Sequence, residues 1–163
     1  MNNPKDNRMK QFKLITLTLL LGILFNPIFS QKVKNTLDEI KIFGFSSIKY
    51  EQSIDLDSGD TLTYLYIGYQ NSEYTTITDI QSIMFLRKSE VESFIVDIKK
   101  IVDFMGERKD ITFDRDKYYL GLYDFDSKRL RVGKDFKKTT VVFEKNVRKL
   151  IIWLEGLDLS YLK

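Results

Sequence analysis

Between Val91 and Met105 the apolar residues Val91, Phe94, Ile95, Ile98, Ile101, Val102 and Met105 recur at i, i+3, i+4 and i+7, the spacing of one helix face. A helix with such a face has to bury it against another layer, so it constrains everything around it. Ser89 and Glu92 are spaced as a capping box at its start, and Gly106 supplies a stop. Burying these side chains at about 1.5–3 kcal/mol each makes the stripe the anchor of a core. Asp97, Lys99, Lys100 and Asp103 are expected to face water. The mixed sign of that polar face argues against a membrane-surface role.

The layer it packs on reads as strands. Phe45 to Ile54, Thr61 to Tyr69, Tyr74 to Leu86, Ile111 to Phe113, Tyr118 to Phe125, Arg129 to Val132 and Thr139 to Phe143 are extended in pattern and rich in Thr, Tyr, Ile and Val. Asp57-Ser58-Gly59-Asp60 and Asn71-Ser72 are turn chemistry. A short helix is expected to open the body, with Thr36 and Glu39 as a capping box, Leu37 and Ile40 on one face and Gly44 at its end. A last helix runs from about Glu144 to Glu155, with Val147, Leu150, Ile151 and Leu154 inward and Trp153 off the stripe. The class is α+β: an antiparallel sheet with two main amphipathic helices packed on one face. Asp55 to Ser58 and Asp124 to Ser127 occupy matching hairpin positions, and Ile83 to Phe85 and Val141 to Phe143 each precede a helix. That rhythm is open to two readings, a degenerate strand-strand-strand-helix duplication or similar turns that arose independently. No flexible linker separates the halves, so residues 31–163 are expected to be a single domain.

The first thirty residues are read as an address rather than as part of the fold. Lys5, Arg8, Lys10 and Lys13 precede an apolar run from Leu14 to Phe25, broken by Asn26-Pro27 and ending in Ser30. This is the layout of a secretory signal peptide with cleavage expected after Ser30. Twelve helical residues span about 18 Å, short of a hydrocarbon core of roughly 30 Å. The expected location is outside the inner membrane of a bacterium, periplasmic or extracellular. The chain has no cysteine, which excludes a lipoprotein anchor and disulfides alike.

Removal of that segment changes the electrostatics. The whole chain carries a net charge of +3, but residues 1–30 hold four bases and one acid, leaving 22 of each in the remainder. A neutral body is no argument for nucleic-acid binding. The charge is unevenly spread, however. Lys128, Arg129, Arg131, Lys134, Lys137, Lys138, Lys145, Arg148 and Lys149 face only Asp135 and Glu144 within the same stretch, whereas residues 31–127 are net acidic. Such a strip either complements the acidic half of its own molecule or holds an acidic polysaccharide, a lipid headgroup or an acidic protein.

The parity of the turn after Phe125 decides how good that strip is. With an even loop, Tyr123 and Phe125 join Leu130 and Val132 in the core, and Arg129 and Arg131 stand outside. With an odd loop, Tyr119, Tyr123, Arg129 and Arg131 share the outer face as an aromatic–cation ledge. The even loop is the expectation here. The candidate ligand-binding residues are Arg129, Arg131, Lys134, Lys137, Lys138, Tyr119 and Tyr123.

Several chemistries are struck out. Without His or Cys there is no Ser-His-Asp relay, catalytic thiol or Cys/His zinc site. Asp55 to Asp60 lacks the spacing of a calcium loop, since Gly59 is fifth and Tyr66 twelfth. No glycine-rich phosphate loop is present, and no cofactor or metal is expected. Asp79, Asp97, Asp103, Asp114, Asp116 and Glu144 are the carboxylates from which a glycosidase pair would have to be drawn.

In topology alone, a doubled strand-strand-strand-helix order is similar to the single-stranded nucleic-acid binders of the PUR and whirly type; no motif carries that likeness, and no family is assigned on it. The first expectation is an exported, non-catalytic binding domain that contacts an acidic partner through residues 128–149. The alternatives are a small carboxylate-based hydrolase of cell-envelope glycans and a periplasmic inhibitor or immunity-like protein.

Overall fold

The stretch from Lys32 to Ile40 places Val33, Leu37 and Ile40 at helical spacing, but a nine-residue segment is too short to offset the cost of nucleating a helix by itself. In the computed structural model, which describes residues 31–72, 79–107, 111–122 and 128–163, it is strand β1 (Lys32–Ile40) and not the opening helix expected from Thr36 and Glu39. It lies antiparallel to β2 (Ser47–Asp55), and one residue, Leu37, bulges out of register. β3 (Thr61–Gln70) and β4 (Ile80–Phe85) complete an antiparallel sheet in the order β1-β2-β3-β4. Helix α1 (Lys88–Asp103) follows.

The second half repeats this plan. β5 (Thr112–Asp114), β6 (Tyr119–Leu122), β7 (Arg129–Asp135) and β8 (Lys138–Phe143) form a second antiparallel sheet, and α2 (Glu144–Gly156) follows. The fold is α+β, with the strands divided between two four-stranded sheets, each followed by its helix. Residues 74–78 of the strand expected from Tyr74 to Leu86, and residues 123–127 with the turn expected after Phe125, fall outside the described residues.

The helix stripes land where the periodicity puts them. Val91, Phe94, Ile98, Ile101 and Val102 of α1 and Val147, Leu150, Ile151 and Leu154 of α2 are buried; Ile95 and Met105 are half-buried. α1 starts earlier than the Ser89 box predicts. Glu90, not Glu92, reaches back to accept from the Leu86 and Arg87 amides at 3.0 and 3.2 Å, satisfying donors that a helix start leaves open. Gly106 follows the helix with φ +89°, a left-handed conformation that L side chains rarely adopt. Phe85, Phe94 and Tyr118 meet ring to ring at 5.0–5.9 Å, so the core runs continuously from the first sheet through α1 into the second.

Polar contacts also join the halves. The Tyr69 hydroxyl donates to the Lys138 carbonyl at 2.7 Å and accepts from the Lys134 amide at 2.6 Å. Thr140 Oγ1 donates to the Gly44 carbonyl at 2.8 Å, and Asn146 to the Phe43 carbonyl at 3.2 Å. Residues Lys32–Lys163 form one compact unit. Among the described residues no helix is long and apolar enough to cross a membrane.

Candidate functional site

The register of the second sheet settles the parity of the β6–β7 turn. Leu120 pairs with Val132 and Leu122 with Leu130, while Tyr119 pairs with Gly133 and Gly121 with Arg131. Side chains alternate across a strand, so the leucines and Val132 share the inner face and Tyr119 shares the outer face with Arg129 and Arg131. This is the odd register, opposite to the expectation of an even loop. Leu120, Leu130 and Val132 are fully buried and Leu122 is half-buried. Four aliphatic side chains at period two outweigh two aromatic residues nearer the turn, because the aliphatic set has no polar atom to desolvate.

The consequence is a ledge on the outer face. The Tyr119 ring lies across Gly121, where an added Cβ would fall 2.7 Å from the tyrosine oxygen. Phe136, from the β7–β8 hairpin, meets Tyr119 edge-on at 5.5 Å. The Arg131 guanidinium sits 5.7 Å from the Phe136 ring centre, and the Arg129 guanidinium 6.0 Å from that of Phe143. Both rings are more than half exposed. Each arginine thus stands beside an aromatic face, an arrangement worth about 0.5–1 kcal/mol at exposed sites. It also limits where the planar cation points.

The hairpin lysines are set by a tight turn. The Asp135 carboxylate accepts from the Lys137 and Lys138 amides, both at 2.9 Å. Lys134, Lys137 and Lys138 are exposed, and no described carboxylate pairs with them. Elsewhere the basic strip serves its own molecule: Glu144 forms ion pairs with Lys128 at 3.7 Å and with Arg148 at 2.8 Å. The structure therefore gathers Arg129, Arg131 and Tyr119 with Phe136 and Phe143, places the three lysines on the adjoining hairpin, and leaves Tyr123 outside the described residues. Phe136 and Phe143 escaped sequence reasoning. Their position among basic residues, one inside the β7–β8 turn and one at the end of β8, was the available signal.

The candidate carboxylates partly converge. Asp97, Asp114 and Asp116 line an open hollow of about 1110 Å³ between α1 and the β5–β6 turn, beside Ser93, Arg115 and Tyr118; Asp79, Asp103 and Glu144 do not line it. Asp97, expected to face water, is buried at 3% exposure. Its Oδ2 accepts from Arg115 Nε and from the Tyr118 hydroxyl, both at 2.9 Å, and its Oδ1 from Arg115 Nη2 at 3.3 Å. The bond to Asp97 raises the Arg115 pKa above its ordinary value. Burial, then the same carboxylate, pushes the Tyr118 hydroxyl up. A carboxylate with both oxygens held by donors is a clamp between α1 and the β5–β6 turn.

The acidic turn is spent on itself. Asp55 Oδ1 accepts from the Asp57 and Ser58 amides, and Ser58 Oγ donates to Asp60. Among the described residues no group of three or more potential metal ligands comes together.

No protein-family model, curated protein or solved structure matches the chain.

Proposed function

We propose that the protein is an exported, non-catalytic binding domain that holds an acidic polysaccharide on the outer face of its second sheet. The observation that carries this reading is the odd register, which puts Arg129, Arg131 and Tyr119 on one face together with Phe136 and Phe143. Planar guanidinium groups match carboxylates in two-point hydrogen bonds. Exposed rings beside them offer apolar faces to sugar C–H groups, and the hairpin lysines Lys134, Lys137 and Lys138 add attraction along the chain of a polyanion. A lipid headgroup or an acidic protein would use the same charges but would not need the alternation of rings and cations.

The fate of Asp97 favours binding over hydrolysis. The one buried carboxylate of the hollow is engaged by Arg115 and Tyr118. The other two candidates there, Asp114 and Asp116, are exposed to water, whereas a glycosidase needs a carboxyl whose surroundings keep it protonated to deliver a proton. The test is capture by an immobilised polyuronate. The wild-type chain is expected to be retained at low salt and released as salt rises, and a chain carrying Arg129→Glu and Arg131→Glu to flow through. Equal retention of the two removes the ledge from the account.

A further inference from the structure

β1 is an edge: among the described residues only β2 pairs with it. Its side chains are exposed on both faces from Lys32 to Glu39, including Val33 at 41% and Leu37 at 44%. A long open edge is a template for another strand, and proteins commonly guard it with lysine. Here the guard is lopsided. Lys32 and Lys34 lie in the first half of the strand, Asp38 and Glu39 in the second. A strand charged in this way repels a parallel copy and attracts an antiparallel one.

We infer that β1 is a homodimer interface, pairing antiparallel with β1 of a second copy about a two-fold axis through Thr36. The register follows from the faces. Lys32, Lys34, Thr36 and Glu39 stand opposite Asp55, Ser53, Glu51 and Lys49 of β2, and Val33, Asn35, Asp38 and Ile40 opposite Ile54, Gln52, Tyr50 and Ile48. Residues paired across a ladder share a face. With Thr36 opposite Thr36 and the bulged Leu37 left out of the count, Lys34 faces Glu39 of the second copy, Val33 faces Ile40, and Asn35 faces Asp38. Each of these contacts occurs twice by symmetry. The exposed Leu37 of each copy comes within one residue of the axis. Lys41, which would fall opposite Lys32, lies past the end of the strand. The two first sheets then become one sheet of eight strands, and neither copy keeps an open β1 edge. The inference is independent of the ledge.

Charge reversal tests both the interface and its register. The protein recovered from expression of the full chain is expected to sediment as a dimer at micromolar concentrations. Lys34→Glu puts glutamate opposite Glu39, and Glu39→Lys puts lysine opposite Lys34. Each variant alone should dissociate at least about ten times more readily, since two attractions become two repulsions. A mixture of the two variants should regain the wild-type mass, because a heterodimer restores both Lys–Glu pairs. Both positions are exposed, so an unchanged circular-dichroism spectrum and a cooperative melt of each dissociated variant will show that it folds. A wild-type chain that stays monomeric up to roughly millimolar concentration overturns the inference. So does a dimer indifferent to Lys34→Glu, or a mixture that stays dissociated.

Discussion

The Tyr118 hydroxyl and the Arg115 Nε reach the same oxygen of Asp97, each at 2.9 Å. The pair ties the middle of α1 to the turn that opens the second sheet, and it does so from a carboxylate 3% exposed. Asp97→Ala leaves Arg115 in solvent but strips the buried Tyr118 hydroxyl of its acceptor, so it is expected to destabilise the fold by about 2 kcal/mol. Tyr118→Phe, which removes donor and hydroxyl together, should cost about 1 kcal/mol. Urea unfolding monitored at Trp153 measures both. A cost for Asp97→Ala no larger than that for Tyr118→Phe would show the clamp to be idle.

Two glycines on the outer faces should differ in their tolerance of alanine. A Cβ on Gly133 would lie 2.0 Å from the Lys138 carbonyl oxygen and 2.7 Å from the Thr139 Cα, both backbone. The β7–β8 ladder must open to admit it, at a cost of about 3 kcal/mol. At Gly68 the nearest atoms are side-chain ends, Ser46 Oγ and Tyr66 Cε1, both at 2.9 Å. These can swing away, so Gly68→Ala should cost about 1 kcal/mol. Equal melting temperatures for the two variants would contradict the difference in backbone approach.

Alkali should unfold the protein through its buried tyrosines. Burial raises the Tyr69 hydroxyl to about 12, with Asp135 and Asp79 adding to the shift and the Lys134 amide opposing it. Burial and then the hydrogen bond to Glu51 raise Tyr64 to about 12. A folded pKa above the unfolded value near 10 means that the stability is fully present below pH 10. It is lost as pH rises towards 12, since only the unfolded chain ionises in that window. Tyrosinate absorbance at 295 nm should therefore appear in two phases, exposed residues first and the buried set together with loss of ellipticity. A single phase near pH 10 with the fold intact would refute this.

Phe136 is expected to matter for binding but not for stability. It is 59% exposed and stands between the Tyr119 ring and the Arg131 guanidinium. Phe136→Ala should weaken polyuronate binding by about three- to tenfold while leaving the melting temperature within error, as expected for one exposed ring and its cation contact. Titration calorimetry and a thermal melt on the same sample decide it; undiminished affinity would deny the ring a part in the ledge.

What the sequence disclosed follows from how local each signal is. The α1 and α2 stripes are legible because several apolar residues at one period leave a single solution. β1 is not, because Thr36 and Glu39 imitate a helix start while its pairing partner lies beyond a turn. The ledge turned on one parity, and Asp126-Ser127 carries no glycine to fix the loop length. The pairing of Leu120 and Leu122 with Val132 and Leu130 decided it from outside the turn. Asp97 looked solvent-facing by chemistry, yet it lies three residues after Phe94 and four before Ile101, on the buried face. Its partners come from the β5–β6 turn, 18 and 21 positions away, and no window along α1 contains them.

Tyr69 belongs to the first half, yet its hydroxyl is shared between Lys134 and Lys138 of the second, while Gly44 and Phe43 receive donors from Thr140 and Asn146. Each repeat thus completes the other's backbone bonding and closes over the other's apolar side. Severed between residues 107 and 111, the chain would give two fragments insoluble when made singly and native only when synthesised together. The two halves share one plan of strands and helix, and on these contacts neither is expected to serve as a module for engineering by itself.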